Sequence, residues 1–151
     1  MELSQTTTIL EDLSETLEDG REGFTKAAEK LESDGHGQIA AKMREFATQR
    51  AELSRELASI ASANGTTFET GDGTTAGALH RGWMSMKDAL TGSDAHTVLA
   101  AAERGEDHAV AQYREALNKD LPAPIRDVVS QQATAVQAAH DQVRDLRDAN
   151  A

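Results

Sequence analysis

None of the 151 residues is cysteine, which excludes disulfides, Cys-based zinc sites and thiol chemistry. Aromatic residues make up only 3% of the chain, too few for a sheet built on aromatic and β-branched side chains, whereas Ala, Leu and charged residues are abundant. That balance suits close-packed helices, so the expected class is all-α. Nowhere is there an apolar run near the roughly 18 residues of a membrane span. The first residues also lack a basic stretch followed by an apolar one, and a soluble, cytoplasmic protein is expected. Positive charge is scarce as well: 15 Lys and Arg stand against 26 Asp and Glu, a formal net charge of −11. Such a surface repels phosphate, and Arg and Lys are interleaved with acids, as at Arg144, Asp145, Arg147 and Asp148. No nucleic-acid partner is expected.

What is present is helical periodicity, in one domain spanning 1–151. Leu10, Leu13, Leu17, Gly20, Phe24, Ala27 and Leu31 recur at alternating spacings of three and four, the seam of a first helix. Asp34-Gly35-His36-Gly37 supplies its glycine C-terminus and a turn short enough to demand an antiparallel partner. A second seam runs Ile39, Met43, Phe46, Arg50, Leu53, Leu57, Ile60 and stops at Asn64-Gly65. The Thr/Gly-rich stretch to Gly77 has no period and reads as a long loop. Leu79, Trp83, Met86 and Leu90 predict a short helix, after which Ser93 or Asp94 caps a third long one with the seam Leu99, Ala102, Glu106, Ala109, Tyr113, Ala116. Pro122 and Pro124 open the fourth: Ile125, Val129, Gln132, Val136, Ala139, Val143, Leu146. Two hairpins joined by one long connection describe a bundle with a single crossover; an up-down-up-down bundle is the alternative, with the short helix running on into the third.

Each seam has a polar or glycine interruption, at Gly20, Arg50 and Glu106 near mid-length and at Gln132 somewhat to one side. Antiparallel packing brings these toward one layer. A buried charge without a partner costs several kcal/mol, and Arg50 with Glu106 is the evident pair. His140, beside seam residue Ala139, is placed at the edge of the same layer. The other four histidines show no ligand spacing to one another. His80-Arg81-Gly82-Trp83 offers two readings, Trp83 packing the short helix onto the bundle, or Trp83, Met84 and Met86 forming an apolar patch for a partner or a second copy. Gly71-Asp72-Gly73 lacks the Lys and helix start of a phosphate loop.

The segment Gln38-Ile39-Ala40 through Ala47-Thr48-Gln49-Arg50-Ala51-Glu52-Leu53 resembles a helix of rubrerythrin-type ferritin-like proteins. The resemblance implies a Glu-x-x-His pair of iron ligands there, where this chain has Arg50 and Leu53. Ala100 to Glu106 resembles that family's Ala-Gly-Glu helix, with Glu106 as the carboxylate, and Gln137-Ala138-Ala139-His140 its second Glu-x-x-His with Gln in place of Glu. On the first helix Glu22 is the nearest carboxylate, though Gly20 and Gly23 disturb the register. Asp19-Gly20, His80-Arg81-Gly82-Trp83, Gly105-Glu106-Asp107, Tyr113, Leu121-Pro122 and His140-Asp141 together are similar to a bacterial ferritin-like family of unknown function, domain of unknown function 2383.

These readings imply a ferritin-like four-helix bundle, rubrerythrin-related, with a degenerate di-metal site in which Arg50 pairs with Glu106. The expected role is non-catalytic and structural or stress-associated, with no cofactor and with self-association as the first partner to consider. Two alternatives stand beside it. One is a metal-binding or redox protein holding iron or manganese through Glu22, Glu106 and His140. The other is an interaction module acting through the Trp83 segment.

Overall fold

The computed structural model describes residues 3–68, 80–92 and 94–151. Its elements are α1 (Leu3–Ser33), α2 (Gly37–Ala63), the short α3 (Met84–Ala89), α4 (Ala95–Leu117) and α5 (Ala123–Ala149). The Thr/Gly-rich stretch, Leu79 and Ser93 fall wholly or partly outside the described residues.

Helix α1 begins a full two turns before its leucine seam. Thr7 and Thr8 return their hydroxyls to the carbonyls of Leu3 and Ser4, and Thr6 is buried, so three threonines of modest helix propensity are carried into the helix. Gly35 and Gly65 end α1 and α2 with positive φ, +88° and +85°. In both cases the next two amides turn back on the helix: Gly35 and His36 donate to Glu32 and Leu31, Gly65 and Thr66 to Ser62 and Ala61. This is the left-handed glycine stop, which satisfies carbonyls the helix end leaves open. Asp94 caps α4, accepting from the His96 amide and the Thr97 hydroxyl. Pro124 lies in the first turn of α5, where the missing N–H costs nothing.

Two apolar clusters fix the directions of the helices. One gathers the end of α1 (Phe24 to Leu31), the start of α2 (Ala40 to Ala47), the start of α4 (Ala95 to Ala102) and the end of α5 (Ala139, Val143). The other gathers the opposite halves, with Leu10 to Leu17, Leu57, Ala61, Ala109 to Ala116 and Ile125 to Val136. Thus α1 and α5 run one way, α2 and α4 the other. Since α1 packs on α2 and α4, and α5 on α2 and α4, every neighbouring pair is antiparallel and α2 faces α4 across the diagonal. The chain recrosses the bundle's length between α2 and α4, so the four long helices do not alternate in chain order. The short helix does not run into α4 either: Thr91-Gly92 and the Asp94 cap separate them. Nor does α3 begin at Leu79, because Arg81 and Gly82 both take positive φ.

Candidate functional site

Between the two apolar clusters lies a polar layer whose centre is Arg50. Its guanidinium donates from both terminal nitrogens to the two oxygens of Glu106, each at 2.6 Å, and both side chains are wholly buried. A planar fork on a carboxylate is the strongest geometry such a pair can adopt. Arg50 Nε reaches Gln49, its Cζ lies 5.3 Å from the ring centre of Phe24, and Gly20 on α1 leaves room beside its Nη1. The pair therefore spans the diagonal from α2 to α4. Removing either partner would strand the other charge in a dry interior.

Gln132 belongs to a second group, one step toward the other cluster. It accepts from the Tyr113 hydroxyl at 2.7 Å and donates to the Leu53 carbonyl and to Glu56. Burial pushes the Tyr113 phenol far above its ordinary value of 10; nearby Arg50 opposes the shift, while Glu56 and Glu106 add to it. Ser14 and Ser54 complete the layer with a buried hydroxyl pair at 2.9 Å.

The His80-Arg81-Gly82-Trp83 segment clasps the returning chain to α1 and α4. Arg81 bonds Glu15 at 2.5 Å and Asp19 at 3.1 Å on α1. Burial raises the Asp19 carboxyl above its ordinary value, although Arg81 works against the shift. Gly82 has φ +77°, and a Cβ there would come within 2.6 Å of His108 Cβ. Trp83 then enters between Gly23 and Gly105: a Cβ on either would lie 2.1 Å from its ring. Its indole meets Phe24 edge-on at 5.0 Å. Of the two readings of this segment, packing onto the bundle is the one found, and the apolar patch at Trp83, Met84 and Met86 is corrected. Trp83 and Met86 are buried and only Met84 is exposed, because paired glycines on two helices make a slot for the indole.

His140 lies away from the centre, on the α4–α5 face. Its Nε2 is 2.7 Å from Asp107 and 3.9 Å from Glu103, and its Nδ1 is 3.1 Å from Asp141. Burial lowers its basicity, but the hydrogen bonds to Asp141 and Asp107 and the charges of Asp107 and Glu103 outweigh it, so its pKa rises above 6.5. The same contact holds Asp141 below the usual carboxylate range. Glu103 is held on its other oxygen by Arg147. Among the described residues, Glu103, Asp107 and His140 form the one group of three whose ligand atoms gather closely enough for a metal.

Glu22, Glu106 and His140 are not that group, and the reason is helical rotation. Glu22 follows Gly20 by two residues, about 200° around α1. Gly20 faces Arg50, so Glu22 points away from the centre, where its Oε1 is buried and has no hydrogen-bond partner among the described residues. Both oxygens of Glu106 are engaged by Arg50. A central di-metal site does not fit these residues: a guanidinium sits against the carboxylate, Leu53 packs in the second apolar cluster, and Gln137 is exposed and bonds Asp141. Glu103 and Asp107 are the residues that sequence reasoning passed over. Their separation of four on α4, beside seam residue Glu106, was the available signal.

No described helix is long and apolar enough to cross a membrane. Residues 5–119, which take in α1 from Gln5 onward and α2 to α4 but not α5, match the family described as Domain of unknown function (DUF2383). No curated protein matches the chain.

Proposed function

The chain belongs to the DUF2383 family, and from that premise we propose that it is a ferritin-like structural bundle, not an enzyme, in which Arg50 and Glu106 stand where a di-metal centre would otherwise lie. The observation that carries this reading is the fully buried, two-pronged contact between them. Two cations need several inward, negative ligands, and among the described residues this layer turns one wholly buried carboxylate inward, already neutralised. The ferritin-like assignment is supported by the helix directions and the single long crossover, the arrangement of that class of bundle. A rubrerythrin relationship, a cytoplasmic setting and a stress role belong to the proposal through the resemblance of the motifs. Self-association belongs to it on the strength of exposed Leu3 and Met84, and sedimentation velocity returning only monomer at tens of micromolar would remove it.

The competing reading, an iron- or manganese-binding redox protein using Glu106 and His140, requires Glu106 to leave Arg50. Elemental analysis separates the two, on protein purified without chelator and then incubated with iron and with manganese. The proposal expects the Glu106→Gln variant to hold as much metal as the parent protein. Metal at a whole-number ratio in the parent protein that disappears in a variant whose helical circular dichroism is unchanged would overturn it.

A further inference from the structure

We infer that Glu103, Asp107 and His140 form a binding site for one divalent transition-metal ion, on the α4–α5 face and separate from the central pair. Each contributes one ligand atom, and these atoms lie within 4.8 Å of one another. Ligands about 2.0 to 2.2 Å from a tetrahedral zinc ion stand roughly 3.4 Å apart. The observed separations of 2.7 Å and 3.9 Å from His140 Nε2 straddle that value, so small side-chain movements admit the ion. The donor set of one imidazole nitrogen and two carboxylate oxygens suits zinc, manganese, cobalt or iron(II) better than magnesium or calcium.

Two further features shape the site for an ion. Asp141 accepts from Nδ1, which leaves Nε2 directed at the two carboxylates; a carboxylate behind a histidine is the usual way a ligand ring is oriented. Arg147 holds one oxygen of Glu103 and leaves the other turned toward His140. Glu103 and His140 are well covered, with side chains 13% and 14% exposed, whereas Asp107 is 63% exposed. The ion would thus enter from solvent over Asp107, with water completing its shell. When it binds, it takes the place of the Nε2 proton, which leaves to solvent.

The test uses the full chain, stripped with chelator and desalted, and titrated by calorimetry with zinc and with manganese alone. Cobalt(II) serves as the spectroscopic probe. One equivalent is expected, with cobalt visible bands showing a nitrogen ligand. His140→Ala should abolish binding, and Asp107→Asn, at an exposed position that leaves the fold intact, should weaken it at least about tenfold. His36→Ala should leave it unchanged. Absence of binding overturns the inference, as does binding that survives both His140→Ala and Asp107→Asn. Loss on Glu106→Gln with retention in His140→Ala would place the metal at the centre instead, sinking the proposed function as well as this site.

Discussion

Glu106 and Asp107 are neighbours on one helix and carry the same charge, yet they live in different solvents. Glu106 is sealed in the bundle with both oxygens on Arg50, while Asp107, about 100° further round α4, is exposed and shares His140 with Glu103. The first carboxylate is neutralised by a fixed partner and held rigid. The second sits in a group that can exchange a proton for another cation. One residue of α4, about 100° of rotation, therefore separates a closed charge pair from an open one, and what differs is burial and partner rather than charge.

The comparison breaks most visibly at the centre. Glu106→Ala leaves the Arg50 guanidinium buried and unpaired and should cost about 3–5 kcal/mol of unfolding free energy, read by urea denaturation. His140→Ala, on the open side, should cost less than about 1 kcal/mol in metal-free protein. Between these falls the indole slot. Gly105→Ala places a methyl where Trp83 now sits, and should cost about 1–3 kcal/mol while shifting the fluorescence of the only tryptophan toward that of a wetter environment. An unshifted spectrum at full stability would show that the slot is not needed.

A smaller effect tests how dry the central layer is. Tyr113→Phe removes one buried hydrogen bond to Gln132, about 1 kcal/mol. The wild-type phenol supplies a pH test. Its folded pKa is raised above the ordinary 10, so above pH 10 the unfolded chain releases a proton that the folded one keeps, and stability falls as pH rises. Tyrosinate absorbance from this single tyrosine should therefore appear only together with loss of helical circular dichroism. Smooth titration near pH 10 in folded protein would mean that water reaches the layer.

The long helices were legible because their seams keep three-four spacing and their ends carry glycine or a capping aspartate: Gly35, Gly65 and Asp94 mark boundaries the structure also has. The interruptions at Arg50 and Glu106 were legible because a charge in a seam must find a partner. Other features were not, since each depends on helix rotation or on a pair distant in sequence. Trp83 reads equally as core or as surface until Gly23 and Gly105 are seen to flank its ring. Glu22 reads as a ligand until its rotation from Gly20 is counted. His140 reads as the edge of the central layer because its neighbour Ala139 lies in the seam, but one residue of rotation turns it to Asp107 and Glu103.

The most direct test of the central pair is the unfolding free energy of four proteins: the parent chain, Arg50→Met, Glu106→Leu and the double variant. If Arg50 and Glu106 hold each other in the dry centre, each single change should lose about 3–5 kcal/mol, and the double variant should recover most of it. Losses that simply add, with no recovery, would contradict the account and mean that each side chain meets some other partner or water.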